Sequence, residues 1–254
     1  MTLRVTRFAR GYLFGIGAAL VAAAAIATFS APARAADTPT MTSKPMKIGI
    51  IGAGHIGGTL AKLWAQAGHE VMISSRHPED LKSLAQSLGP KAKVGTPREA
   101  AAFGDVVVVS IPYAATPQLG KELAKELSGK IVLDTGNPYP SRDGPMADDA
   151  RKRGTGVTSA EFLPGTKLVR AFNAINASPL ATEAHRSGEK VGIPLAGNDP
   201  QALKVAEQLV RDAGFDPVVV GGLDRAREFD VGTPVYVKSY TASEIRKQLK
   251  LPNP

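Results

Sequence analysis

Three glycines, at positions 52, 54 and 57 in the run GAGHIG, are the residues of this chain best suited to phosphate chemistry, because they follow the apolar run Ile48-Gly49-Ile50-Ile51. Between a strand and a helix, the first glycine permits a tight turn. The second lets the backbone approach a pyrophosphate, and the third lets the helix pack close to the strand. The helix N-terminus adds unpaired N–H groups and the positive end of a dipole. Gly52, Ala53, Gly54, His55, Ile56 and Gly57 are therefore candidate dinucleotide contacts. Roughly 20 residues on, an NAD site presents a carboxylate to the ribose. This chain has Ser74-Ser75-Arg76-His77 there instead. A carboxylate would repel a 2′-phosphate, whereas the Ser75 hydroxyl and the planar Arg76 fork can hydrogen-bond one, which favours NADP(H) over NAD(H).

Such contacts need a sheet to hold them, and the pattern of the chain supplies one. Residues 46–51 read as a strand, and Ile56, Leu60, Leu63, Trp64 and Ala67 recur at helical spacing before Gly68. Further strands are expected at 70–74, 93–95, 105–111, 130–133, 168–173, 191–196 and 218–220. The run Val106-Val107-Val108-Val109 has no polar face, as befits a central parallel strand. Helices are expected from Thr96-Pro97-Arg98-Glu99, through Leu119, Leu123 and Leu127, at 159–163 and at 200–213, while 143–156 reads as a polar, glycine-rich passage. The alternation predicts an α/β fold: a doubly wound, Rossmann-like, mostly parallel sheet extended by C-terminal strands and helices. Ligands of such sheets bind beyond the carboxyl ends of the strands. Ile111, Pro112 and Tyr113 at one tip and Asn137 at the next should then face the cofactor crevice.

Residues 1–36 have another character. Arg4, Arg7 and Arg10 precede an apolar stretch at 11–29, and Ala33-Arg34-Ala35 offers small residues for cleavage, a Sec-type signal pattern that predicts a periplasmic protein. An uncleaved anchor is the alternative, as is a cytoplasmic protein started at Met41 or Met46. The expected division is a leader at 1–36, a linker at 37–45, the NADP-binding Rossmann-type domain at 46–222 and a tail at 223–254 packing on it. That tail is too short for a separate substrate domain, so any substrate should be held by the sheet's own loops. Four arginines and no acid lie in the leader, so half of the formal charge of +8 belongs to it. The remainder shows no aromatic and basic stripe, which argues against nucleic acid. With no cysteine, the chain has no disulfide, thiol catalysis or iron–sulfur ligation, and its four histidines lack the spacing of metal ligands.

Taken together, GAGHIG, Ser75-Arg76, Ile111-Pro112-Tyr113, the tip at 134–138, residues 168–173, Ala196-Gly197-Asn198-Asp199, Gly221-Gly222-Leu223 and Ala226-Arg227-Glu228 resemble the NADPH-dependent reductases of the deazaflavin coenzyme factor-420. The chain is also similar to the oxidoreductase domain of the six-transmembrane metalloreductases. The resemblance runs over residues 46–230. It implies hydride transfer between NADPH and a flavin- or deazaflavin-type acceptor, with Ile111 to Tyr113 and the segment holding Asn173, Ile175 and Ala177 beside the nicotinamide. Asn173 stands where the deazaflavin reductases tend to carry histidine. No convincing acid or base is found among Ile111, Pro112, Tyr113, Asn137 and Asn173, so no catalytic residue is assigned and solvent is expected to supply the proton. Asp134 should order its loop, and Trp64 should lie in the core. A non-catalytic NADP(H)-binding sensor or scaffold is the alternative, and a homo-oligomer is left open.

Overall fold

The computed structural model describes residues 44–252; the expected leader, its cleavage positions and the alternative start at Met41 lie outside the described residues, whereas Met46 lies within them. Six parallel strands, β1 (Lys47–Ile51), β2 (Glu70–Ser74), β3 (Ala92–Gly95), β4 (Val106–Val109), β5 (Ile131–Asp134) and β6 (Lys167–Arg170), run in the order β3-β2-β1-β4-β5-β6. Two more extend the sheet beyond β6: β7 (Gly192–Gly197) is antiparallel to β6, and β8 (Asp216–Gly221) is parallel to β7. The strand order reverses between β1 and β4, which opens a crevice at their carboxyl ends.

Helices cross between the strands: α1 (His55–Gln66), α2 (Lys82–Leu88), α3 (Pro97–Phe103), α4 (Thr116–Glu122) and α5 (Ala124–Leu127) precede β5. Between β5 and β6 come α6 (Pro140–Asp143), α7 (Pro145–Arg153) and α8 (Thr155–Phe162); α9 (Ala177–Thr182), α10 (Pro200–Asp212) and α11 (Ala242–Gln248) follow. Alternate residues of the central strands feed two cores. Ile48, Ile50, Val106 and Val108 join Leu60 and Trp64 of α1 and Leu209 of α10 on one face. Ile51, Val107 and Val109 join Ala100 of α3, Leu119 of α4 and Leu163 on the other. This two-sided burial is why β4 is valine throughout. Trp64 is fully buried, and its indole N–H donates to the Leu209 carbonyl at 2.8 Å.

Three local expectations are corrected. The passage at 143–156 is mostly helical: Gly144 and Gly154, at φ 69° and 96°, end helices rather than forming a loop. Only Ala147 and Ala150 of α7 are buried, too small an apolar face to register as helical periodicity. The helix expected at 159–163 begins earlier, at Thr155. Helix α2 was not anticipated, since it buries no residue fully. After a 3₁₀ turn at Leu223–Glu228, the tail returns to the sheet, where Thr241 and Glu244 form a reciprocal capping box on α11 and Ile245 is buried.

Candidate active site

Gly52 leaves β1 at φ 96°, and a Cβ there would lie 2.3 Å from the Ser110 carbonyl oxygen. A Cβ on Gly57 would lie 2.0 Å from the Gly52 carbonyl oxygen. Both glycines are therefore demanded by the protein's own backbone. Gly54 differs: nothing lies within 4 Å of where its Cβ would stand. The free space above Gly54 borders the N-terminus of α1, whose first turn has no side-chain cap and no acid. Unpaired N–H groups and an open cradle at one helix start suit a pyrophosphate.

From this turn a cavity of about 540 Å³ runs along the tips of β1, β4, β5 and β6. Gly54, His55 and Ile56 line its first end; Ile111 and Pro112, then Asn137, continue it. Asn173, Ile175 and Ala177 close it beyond β6. A second hollow of about 440 Å³ lies on the other side of the turn, against Ala53, Thr59 and Lys62. Ser75 and Arg76 stand apart from both, at the tip of β2. The Ser75 hydroxyl oxygen accepts from the His77 N–H at 2.9 Å, which leaves its proton to donate. Arg76 is exposed, and no described residue pairs with it.

Tyr113 requires a correction. Beyond Pro112 the chain enters a 3₁₀ turn that sends its ring into the core, away from the cavity. It is fully buried, its hydroxyl lies 2.7 Å from Thr158 Oγ1 and 3.1 Å from Ser159 Oγ, and its ring meets Phe162 edge to face. Burial first, then the Asp134 carboxylate, holds its pKa above that of an ordinary phenol. Tyr113 supports α8 rather than a ligand.

Arg170, fully buried on β6, organises the neighbouring tips. It pairs with Asp134 at 2.6 Å and Asp230 at 3.8 Å, and donates to the carbonyls of Gly136 at 2.6 Å and Asp134 at 3.2 Å. Burial pulls the guanidinium pKa down, yet the Asp134 and Asp230 carboxylates outweigh it and the net shift is upward. Asp134 Oδ1 also accepts from the Gly136 N–H at 2.8 Å, the loop-ordering role expected of it. Asp230 in turn accepts from the Thr155 N–H at 3.0 Å, tying the tail to α8.

Just past β6, Phe172 adopts φ 58°, a left-handed conformation that costs a bulky residue strain. Its ring is wedged edge to face against Trp64 and Phe215. This turn brings Asn173 to the cavity wall with 2 % of its surface exposed. Its Nδ2 donates weakly to Asn137 Oδ1 at 3.4 Å and to the Phe229 carbonyl at 3.5 Å, while Oδ1 has no partner. A buried acceptor without a donor is costly. Its position in the wall suits a ligand amide.

Tyr139, Arg142 and Tyr236 also line this end of the cavity, and sequence reasoning missed all three. Tyr139 follows the β5 tip closely enough to have been included with Asn137. Tyr236 has no local signal, and its presence corrects the expectation that the sheet's loops alone hold a substrate. The hydroxyls of Tyr139 and Tyr236 are hydrogen-bonded to one another, and Asn137 Nδ2 lies 3.5 Å from that of Tyr236. The Arg142 guanidinium sits 5.1 Å from the centre of the Tyr139 ring and pairs with Asp143 at 2.8 Å. Two phenol hydroxyls thus stand at this end of the cavity, beside the residues named from the strand tips.

Known proteins share this architecture. The family model described as NADP oxidoreductase, coenzyme F420-dependent, matches residues 47–138. The F420-dependent NADP reductase of Methanothermobacter thermautotrophicus is 30% identical over 217 residues, covering 79% of this chain and 92% of the reductase. Metalloreductase STEAP3 of Rattus norvegicus is 29% identical over 184 residues, covering 72% of this chain and 36% of the metalloreductase, so the chain spans about a third of that protein's length. A solved structure of a hypothetical protein from Sinorhizobium meliloti aligns with a TM-score of 0.69 at 28% identity, over 78% of this chain and 96% of that one.

Proposed function

Because this chain belongs to the family of F420-dependent NADP reductases, we propose that it binds NADP(H) along the cavity and transfers hydride between NADPH and a flavin- or deazaflavin-type acceptor. One pairing carries this reading: the free cradle at Gly54 and the partnerless Asn173 Oδ1 belong to a single cavity of about 540 Å³. Gly54 and the start of α1 would receive the pyrophosphate, Ser75 and Arg76 the 2′-phosphate, and Asn173 Oδ1 the carboxamide N–H of the nicotinamide. The nicotinamide supplies the hydride when bound; the protein contributes orientation and exclusion of water.

The open cavity beside Asn173 favours turnover over a non-catalytic sensor or scaffold, since a sensor needs no space for a second reactant. Anaerobic absorbance of NADPH, followed against riboflavin, FMN, FAD, 5-deazariboflavin, quinones, small ketones and cyclic imines, tests the acceptor class. Oxidation coupled to flavins or deazaflavins is expected. Turnover restricted to ketones or imines would replace that class, and NADPH binding without turnover across the panel would favour the sensor.

A further inference from the structure

We propose that the Tyr139–Tyr236 pair is the proton donor of this site, hydrogen-bonding the acceptor at the heteroatom that gains charge as hydride arrives. The inference rests on the reading above and adds to it the partner for the proton. Counting protons carries the argument. Two phenols bring two O–H protons, and their mutual hydrogen bond uses one. Asn137 Nδ2, the other described partner of the pair, is itself a donor and cannot take the second. Both side chains line the cavity, so the unspent proton has the cavity in which to find an acceptor.

Position agrees with this count. The glycine turn follows β1, whereas Tyr139 follows β5, two strands further along the sheet, and Asn137 bridges the pair to Asn173. The phenols therefore flank the side of the cavity assigned above to the nicotinamide. Burial, followed by the hydrogen bond shared with Tyr139, raises the Tyr236 pKa well above that of an ordinary phenol, with Asp230 adding to the shift and Arg142 opposing it. The pair consequently holds its protons at physiological pH.

The balanced step is simple. NADPH loses hydride, two electrons and one proton together, to the acceptor ring; the pair gives one proton to a ring nitrogen or carbonyl oxygen; NADP⁺ and the dihydro acceptor result. The charge left behind is shared through the Tyr–Tyr hydrogen bond, beside the Asn137 amide and the Arg142 guanidinium, until water returns a proton. A phenolate bonded to a second phenol is more stable than an isolated one, because hydrogen bonds to an ionised oxygen are the stronger kind.

Tyr236→Phe and Tyr139→Phe test the assignment, since each keeps the ring and removes one hydroxyl. NADP⁺ affinity, read by calorimetry, and thermal midpoint serve as controls for the fold. With the best acceptor of the panel, hydride transfer in Tyr236→Phe should fall roughly hundredfold, the lower range for loss of general acid catalysis. The solvent isotope effect on that step should also change. In the dead-end complex with NADP⁺, fluorescence titration with oxidised 5-deazariboflavin should show weaker binding to both variants, by roughly tenfold for one lost hydrogen bond. Wild-type rates, isotope effect and acceptor affinity in both variants would overturn the donor role while leaving the acceptor class intact. A panel in which only ketones or imines react would remove the flavin reading, and the same variants assayed on those substrates would still decide the donor. Failure of the wild-type protein to turn over any acceptor would overturn both.

Discussion

The two ends of the cavity are built by different rules. At the glycine end, six consecutive residues make the turn, and Gly52 and Gly57 are compelled by backbone atoms no more than 2.3 Å from where their Cβ atoms would lie. At the other end, Asn137, Tyr139, Asn173 and Tyr236 come from segments up to 99 residues apart. Only Asn137 and Tyr139 are close in the chain. A buried ion pair and a strained Phe172 hold them instead. The glycine end is a property of a short segment, whereas the far end is a property of the whole fold. Phosphate chemistry is common to many partners, and the distal wall is free to select among them.

The strongest test of that contrast is Gly54→Val. Its Cβ would meet no protein atom within 4 Å, and the backbone there is extended with negative φ, at φ −75° and ψ −159°. Circular dichroism and thermal midpoint should match the wild type, while NADPH binding by calorimetry is lost. Retained binding would put the pyrophosphate elsewhere and dissolve the distinction between the two ends.

Arg170→Met probes the other construction. Removing one partner of a buried ion pair leaves Asp134 without its cation, at a cost of about 3–5 kcal/mol. Urea unfolding should show that loss. An unchanged midpoint would mean that packing alone shapes the distal wall.

A smaller effect is expected at the β2 tip. Arg76→Ala should remove charge-assisted hydrogen bonds worth about 1.5–3 kcal/mol, a loss of roughly ten- to hundredfold in NADPH affinity. NADH affinity should barely change. Equal loss for both nucleotides would remove the 2′-phosphate from Arg76, leaving the glycine end as a site for either cofactor.

The legible parts of the molecule share a physical cause. Strands buried on both faces announce themselves as apolar runs, and a phosphate turn needs glycines at fixed spacing; both are constraints between near neighbours. Val106 to Val109 and the glycines at 52, 54 and 57 could therefore be read directly. Helix α7 could not, because two alanines bury too little surface to set a period. Tyr113 was misplaced for a related reason: its position after a strand tip is a local fact, but the direction of its ring is decided by Thr158, Ser159 and Phe162 on α8.

Sequence alone thus determined the doubly wound sheet, the glycine turn and the arginine that replaces a carboxylate at the β2 tip. Tertiary structure decided what faces the far end of the cavity. There Arg170 fastens the β5 tip, the left-handed turn at Phe172 presents Asn173, and the tail delivers Tyr236 to Tyr139. Backbone turns and buried strands follow from steric and hydrophobic preferences that act within a few residues. A hydrogen bond between phenols 97 residues apart exists only once the sheet and the tail have packed.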